Sequence, residues 1–324
     1  MANKIDRDSL INCIDTVFVV SGEMIPDNGE DSYTYSFNDK FGCISVFDGC
    51  GGIGSRKYEA FDNKTGAYIA SHAVSKAMLE WFDTFSQSNA SVTEKNVELM
   101  SEELYAAFDE KLKSIENETT ATLIRGSLAK SFPTTASAIV FRHKSDKMQA
   151  AFLWAGDSRG YLLTGSGLKQ VTTDDVEGEE DAFSNLSSDA RLSNVVSATG
   201  DYSINNKVLS CPRSGILISA TDGCFGYFKT PMEFEYMLIN TMTKSESIED
   251  WESKLGEYIR LYAGDDYTLA VAVYGYKNFR MLKRSYEARE RILYEKYISQ
   301  LEGASEEKLI KMWEEYKEGY YING

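Results

Sequence analysis

Four aspartates of this 324-residue chain stand where an apolar run gives way to a turn. Asp48 closes the run at residues 41–47 and is followed at once by Gly49-Cys50-Gly51-Gly52. Asp157 lies in LWAGDSR, Asp222 in LISATDG and Asp265 in AGDDYTLAVAVY. A strand end followed by flexible backbone is a rigid platform for a ligand-facing side chain. Carboxylates are hard oxygen donors, so acids that converge suit divalent cations, and a pair of such cations can hydrolyse a phosphoryl group.

A fifth acid follows from hairpin geometry. Residues 33–37 and 41–47 read as strands joined by Asn38-Asp39-Lys40. A hairpin centred near residue 39 or 40 sets Asp31 opposite Asp48, with Cβ atoms about 5 Å apart. Two facing carboxylates with Glu30 beside them repel unless they are protonated or hold a cation. A hard metal resolves that conflict.

The remaining pattern must position these acids. A strand is expected over residues 13–20, then helices over 58–83, with Gly66 as a weak point, and over 96–113. From Thr134 the alternation returns in TTASAIVF, MQAAFLWAG and YLLTG, whose short separations predict an antiparallel meander. Residues 174–190 are acidic and apolar-poor, and read as an exposed flap with a solvated charge run. A short buried strand over 216–219, helical material over 232–262 and a last strand over 269–274 complete a domain at residues 1–275. Residues 276–324 are rich in tyrosine and predict a helical extension: Leu282, Tyr286, Leu293, Tyr297 and Leu301 recur at helical spacing, Gly303 ends that helix and Ser305 caps the next. This tail is expected either to pack on the domain or to offer a surface to a protein partner or a second copy.

Composition narrows the classes. A hydrophobic fraction of 43% argues for a folded globular chain, and no apolar run reaches the roughly 20 residues that span a bilayer. The polar start MANKIDRDSL is unlike a signal peptide, so a cytoplasmic protein with no membrane partner is expected. The cysteines at 13, 43, 50, 211 and 224 form no CxxC pair and read as reduced thiols. A net charge of −16 argues against a nucleic-acid partner. The only histidines, His72 and His143, stand outside the glycine-flanked motifs, so an all-oxygen site for Mg²⁺ or Mn²⁺ is expected in preference to zinc.

In order and wording these motifs resemble the metal-dependent protein phosphatases of the PP2C type, the PPM serine/threonine phosphatases. Glu30-Asp31 look like the first acidic motif and Asp48-Gly49-Cys50-Gly51-Gly52 like the DGxGG signature. Thr134-Thr135-Ala136 look like the small-residue strand motif, Gly156-Asp157-Ser158-Arg159 like GDSR, Thr221-Asp222-Gly223 like [S/T]DG, and Gly264-Asp265-Asp266-Tyr267-Thr268 like the final GxD[N/D]xT. The resemblance implies an α+β fold, a four-layer αββα sandwich of two antiparallel sheets between helices. It implies two Mn²⁺ or Mg²⁺ ions, with Asp48 bridging both, Asp222 and Asp265 on one, and Glu30 with the Gly49 carbonyl on the other. Asp31 would orient metal-bound water, and Asp157 with Asp222 would form a third, weaker site. The implied reaction is attack of a bridging water on a phosphoserine or phosphothreonine ester of a phosphoprotein substrate.

Three positions depart from that family. Cys50 stands where a leaving-group acid, often histidine, is found. Pro26 stands where an arginine grips phosphate, and Arg56 or Lys57 are the candidates to replace it. Gly226 stands where an acid often serves the third ion, which argues against that ion here. These departures keep open a second reading, a phosphatase-like binding or regulatory module with weak or no activity.

Overall fold

The computed structural model describes residues 14–88, 91–120, 132–144, 147–178, 181–186 and 191–322. Cys13, the opening residues and part of the acidic run lie outside these. In chain order, strands β1 (Ile14–Gly22), β2 (Asp31–Phe37) and β3 (Gly42–Asp48) lead into a single helical turn, α1 (Gly51–Gly54). A short pair, β4 (Lys57–Tyr58) and β5 (Lys64–Thr65), precedes α2 (Gly66–Gln87) and α3 (Glu94–Thr120). Strands β6 (Ala136–Lys144), β7 (Lys147–Ala155), β8 (Arg159–Thr164) and β9 (Gly167–Gln170) follow. After a long connection come β10 (Asn205–Cys211), β11 (Gly215–Ala220), α4 (Pro231–Thr243), α5 (Ile248–Tyr262) and β12 (Tyr267–Tyr274). Helices α6 (Phe279–Lys296) and α7 (Glu306–Lys317) end the described fold.

The strands form two five-stranded antiparallel sheets, ordered β1-β12-β11-β8-β9 and β10-β7-β6-β3-β2. Both faces of each sheet are covered, and strand alternation divides the apolar residues between the layers. In β12, Ala270, Ala272 and Tyr274 enter the core between the sheets, where they meet Ile44, Val46, Ile139 and Phe152 of the second sheet. Leu269, Val271 and Val273 point the other way, into a core with Met237, Leu238 and Trp251 of α4 and α5. In β6, Ala138 and Val140 pack beneath α2 and α3, alongside Val74, Met78, Leu104 and Phe108. The architecture is therefore αββα.

Three expectations change. Helix α2 begins at Gly66, not at residue 58, because Thr65 caps it by accepting the Tyr68 N–H at 3.1 Å. Strand β10, Asn-Asn-Lys-Val-Leu-Ser-Cys, had no expected counterpart; it is an edge strand whose residues are mostly half-buried, so it shows little alternation. The expected meander is also broken. Strands β6 and β7 pair, but β8 joins the opposite sheet, beside β11. The chain changes sheets in Gly156-Asp157-Ser158, where Gly156 takes φ +98°, a conformation that L side chains rarely adopt.

The tail folds onto the first sheet's helical layer. Asn278 and Ser305 cap α6 and α7 by accepting the Met281 and Lys308 N–H groups. Leu282, Tyr286, Leu293, Trp313, Tyr316 and Tyr320 are buried in the same core as α4 and β12. At the centre, Glu235 of α4 is fully buried and accepts two bonds from Arg289 at 2.7 Å each. Tyr316 donates to the same carboxylate at 2.5 Å, and the Leu168 N–H at 3.0 Å. Among the described residues no helix is long and apolar enough to cross a membrane.

Candidate active site

The acids meet where the ends of both sheets open onto one pocket of about 320 Å³. Asp31, the first residue of β2, pairs with Asp48, the last residue of β3, in the register expected of the hairpin. Asp157 enters from the sheet-changing turn, Asp222 from the end of β11, and Asp265 and Asp266 from the turn before β12. Glu30, just before β2, completes the wall with Gly49, Cys50, Gly51 and Gly52.

Asp48 and Asp31 are held by backbone and hydroxyl bonds. The Asp48 carbonyl accepts the Thr134 hydroxyl and the Thr135 N–H, both at 2.8 Å, and the Asp48 N–H donates to Thr135 Oγ1 at 3.2 Å. That is the work of the Thr-Thr-Ala motif. The Thr135 hydroxyl also bonds Ser158 at 2.7 Å, which ties β3 to the turn carrying Asp157. Asp31 accepts the Thr221 hydroxyl at 2.8 Å, and Thr221 accepts the Thr268 N–H at 2.8 Å, so the TDG and final motifs brace the first acid.

Glu30 is positioned by a residue the sequence did not single out for the role. Asp266 accepts the Glu30 and Met24 N–H groups, each at 2.7 Å, and so fixes the loop before β2 from 236 and 242 residues away. The Thr65 hydroxyl donates to the Glu30 carboxylate while its oxygen caps α2. A Cβ at Gly51 would lie 2.3 Å from Glu30 Oε2, so any side chain there would displace the Glu30 carboxylate.

Crowding dominates the electrostatics. Desolvation and neighbouring carboxylates push Asp31 and Asp157 each up to about 8. Asp48 is held well above the usual carboxylate range by the same causes, with Asp222 the leading neighbouring charge. Asp222 is raised too, desolvation first. Glu30 and Asp265 are raised as well, desolvation first. The pocket's lining residues include no Lys, Arg or His.

This is a carboxylate-rich donor set for hard cations, with no cation among the described lining residues. Among the described residues no three acids close into a ready cage for a single ion. The carboxylates are spaced round a roomy pocket, which suits ions that keep several waters, as Mg²⁺ does. The residues present therefore fit divalent metal.

Two expected residues are elsewhere. Arg56 is exposed, with its guanidinium 5.2 Å from the Tyr58 ring centroid, and Lys57 is exposed on β4. Neither lines the acid pocket. The β4–β5 pairing turns this segment away from the glycine turn, which the sequence did not indicate. Pro26 lines a neighbouring pocket with Glu23, His72 and the other face of Asp31. His72 gives Nδ1 to the Tyr68 carbonyl at 2.8 Å and stacks on that ring at 3.9 Å. Cys50 does line the acid pocket, with Sγ 4.0 Å from the Asp48 carbonyl oxygen.

Comparison with known proteins settles the family. The model for protein phosphatase 2C matches residues 27–260, which span every acid described above except Asp265 and Asp266. The chain belongs to the protein phosphatase 2C family. Its fold is similar to that of the serine/threonine phosphatase Stp1 of Staphylococcus aureus, with a TM-score of 0.61 at 16% identity over 82% of this chain and 96% of that one. It is similar too to the catalytic domain of PstP in complex with two manganese ions (TM-score 0.52, 16% identity, 80% and 97% covered). PppA of Pseudomonas aeruginosa, a regulatory component of its T6SS, matches with a TM-score of 0.54 at 15% identity, over 81% of this chain and all of that one. Among curated proteins no sequence matches the chain.

Proposed function

We propose that this protein phosphatase 2C member is an active Mn²⁺- or Mg²⁺-dependent phosphatase that hydrolyses phosphoserine and phosphothreonine esters in proteins. The observation that carries the reading is the convergence of acids from separate strand ends on one pocket whose described lining residues include no cation. Charges so placed oppose folding unless a bound cation offsets them, and a binding module has no use for that cost. When bound, divalent ions supply charge to the phosphoryl oxygens and lower the pKa of the attacking water.

The chain's own residues do the rest. Asp48, Asp222, Asp265, Glu30 and the Gly49 carbonyl are the proposed ligands of two ions. Asp31, fixed by Thr221, would orient the attacking water. Asp157 lies within reach of a further ion, but Gly226 brings only its backbone N–H to the Asp222 carbonyl, at 2.6 Å, so that ion has one protein ligand fewer. Cys50 is the wall residue at the position of the leaving-group acid; a thiol is a weaker acid than imidazolium near neutrality, and direct protonation of the leaving alkoxide by water takes more of the load.

One observation favours a second reading. Among the described residues that line the pocket there is no arginine or lysine to hold a phosphate, and Pro26 cannot supply one. A phosphatase-like regulatory module would have that character. Phosphate release from para-nitrophenyl phosphate and from a phosphothreonine peptide, with and without Mn²⁺, in wild type and Asp222→Asn, separates the two. Metal-dependent turnover that collapses in the variant establishes the enzyme. Calorimetric Mn²⁺ binding without turnover on either substrate selects the module.

A further inference from the structure

The connection from β9 to β10 reaches the acid pocket through Leu192, which lines it. Its two legs are joined by an antiparallel bridge between Val176 and Leu192 and by the Ser193 N–H donating to the Asp175 carbonyl at 2.9 Å. At its root Asp174 takes the buried Arg159 through two bonds, at 2.9 and 2.6 Å, and the guanidinium lies 4.3 Å from the Phe225 centroid. Asp174 is thus no solvated charge, contrary to the expectation for this acidic run.

The outer part of the connection is held by the other end of the chain. Trp313 of α7 donates its indole N–H to both Asp181 oxygens, at 3.1 and 2.9 Å. The Ala182 N–H donates to the Tyr321 hydroxyl at 2.6 Å, and Phe183 stacks on Trp313 at 6.1 Å. Asp181 in turn accepts the Phe183 and Ser184 N–H groups, which shapes the single helical turn at Ser184–Leu186. The tail itself is anchored: the Gln170 N–H donates to the Tyr320 carbonyl at 2.9 Å on the edge of β9, and Lys207 of β10 donates to the Ile322 carbonyl at 2.8 Å. The tail's side of these contacts, Trp313 to Ile322, lies beyond residue 260, outside the span that the family model matches.

We propose that the C-terminal extension is a clasp that holds Asp181–Phe183 and so supports the part of the connection that brings Leu192 to the acid pocket, with Trp313 and Tyr321 as positioning residues for the polypeptide that flanks a phosphorylated side chain. The substrate half of this rests on the phosphatase reading. A small aryl phosphate needs only the acid pocket, whereas a phosphopeptide must also run past the clasped segment at Leu192. Loosening the clasp lowers the fraction of molecules with that segment in place and weakens apparent peptide binding by the same fraction.

The test uses the full chain with Mn²⁺, as wild type, Trp313→Phe and Tyr321→Phe. Hydrogen–deuterium exchange is expected to speed up at residues 182–186 in both variants and to stay unchanged in β6 and β12. KM for a phosphothreonine peptide is expected to rise about fivefold or more, with its kcat and both constants for para-nitrophenyl phosphate within about twofold. Unchanged exchange at 182–186 overturns the clasp. Equal loss on both substrates, or no change on either, overturns the positioning role. Should Trp313→Phe fail to fold, Tyr321→Phe deletes a single oxygen and carries the same comparison. A wild type without turnover overturns the phosphatase reading and the substrate half together, while exchange still judges the clasp by itself.

Discussion

Asp31 and Asp48 face one another across the hairpin of β2 and β3, and both open onto the pocket that receives Asp222. Cross-strand partners of like charge are unfavourable on any sheet. Here the walls of the pocket remove the water that would screen them, so protons or cations must do so.

That requirement has a pH signature. Asp31 and Asp157 are pushed up to about 8, far above the value a carboxyl has in an unfolded chain. Their contribution to stability is whole at pH below about 4 and is lost as pH rises through about 8. The metal-free protein is therefore expected to melt at lower temperature near pH 8.5 than near pH 6, as far as these groups govern it. Mn²⁺ should raise the melting temperature more at the higher pH, because it no longer competes with protons. Scanning fluorimetry at both pH values, with Mn²⁺ and with chelator, checks this; a metal shift that shrinks as pH rises contradicts it.

Asp266 is expected to govern metal affinity without touching substrate. Its two oxygens hold the Met24 and Glu30 N–H groups, so Asp266→Ala frees the loop that aims Glu30. Losing such outer support weakens metal binding by about 10- to 100-fold. Calorimetric titration with Mn²⁺ reads the effect, and Thr65→Val, which removes the hydroxyl bond to Glu30, should move affinity the same way.

Arg56 and Lys57 stand outside the pocket, so Arg56→Ala and Lys57→Ala are expected to leave KM for para-nitrophenyl phosphate within about twofold. A direct charge-assisted grip on the phosphate would instead cost roughly tenfold or more. Steady-state kinetics on the two variants decides between these.

A fourth expectation concerns the tail as a structural member. Glu235 is fully buried and Arg289 is its cationic partner. Arg289→Met leaves that carboxylate uncompensated, which destabilises by about 3–5 kcal/mol. Urea denaturation should show an unfolding free energy lower by that order, seen as a lower midpoint at unchanged slope. Replacing Glu235 by Gln in the same variant should recover part of the loss, since the orphaned charge is then gone.

Much of this was legible beforehand, for definable reasons. The alternation of small and bulky apolar residues in β6 and β12 reflects a sheet covered on both faces, and the hairpin register at Asp31 and Asp48 follows from counting residues to the turn. Strand pattern does not record which sheet a strand joins, so the move of β8 to the opposite sheet was hidden. Half-buried β10 carries no alternation to read. Asp266 was hidden for another reason: it accepts bonds from backbone N–H groups, which any residue offers, so its partners leave no mark in the sequence. Thr65 differs: a threonine before a helix is a recognisable cap, yet the small-residue run from residue 58 masked that start, and its second bond to Glu30 leaves no local mark.

The division of the acids between the two sheets ties binding to folding order. Asp31 and Asp48 belong to one sheet, Asp222 and Asp265 to the strand ends of the other, and the turn at Gly156 links them. Neither sheet alone owns a complete donor set. With the proposed ligands, an ion would be gripped only after the two halves of the sandwich have docked, so metal affinity should appear late in refolding and report the closing of the inter-sheet core more faithfully than the growth of secondary structure does.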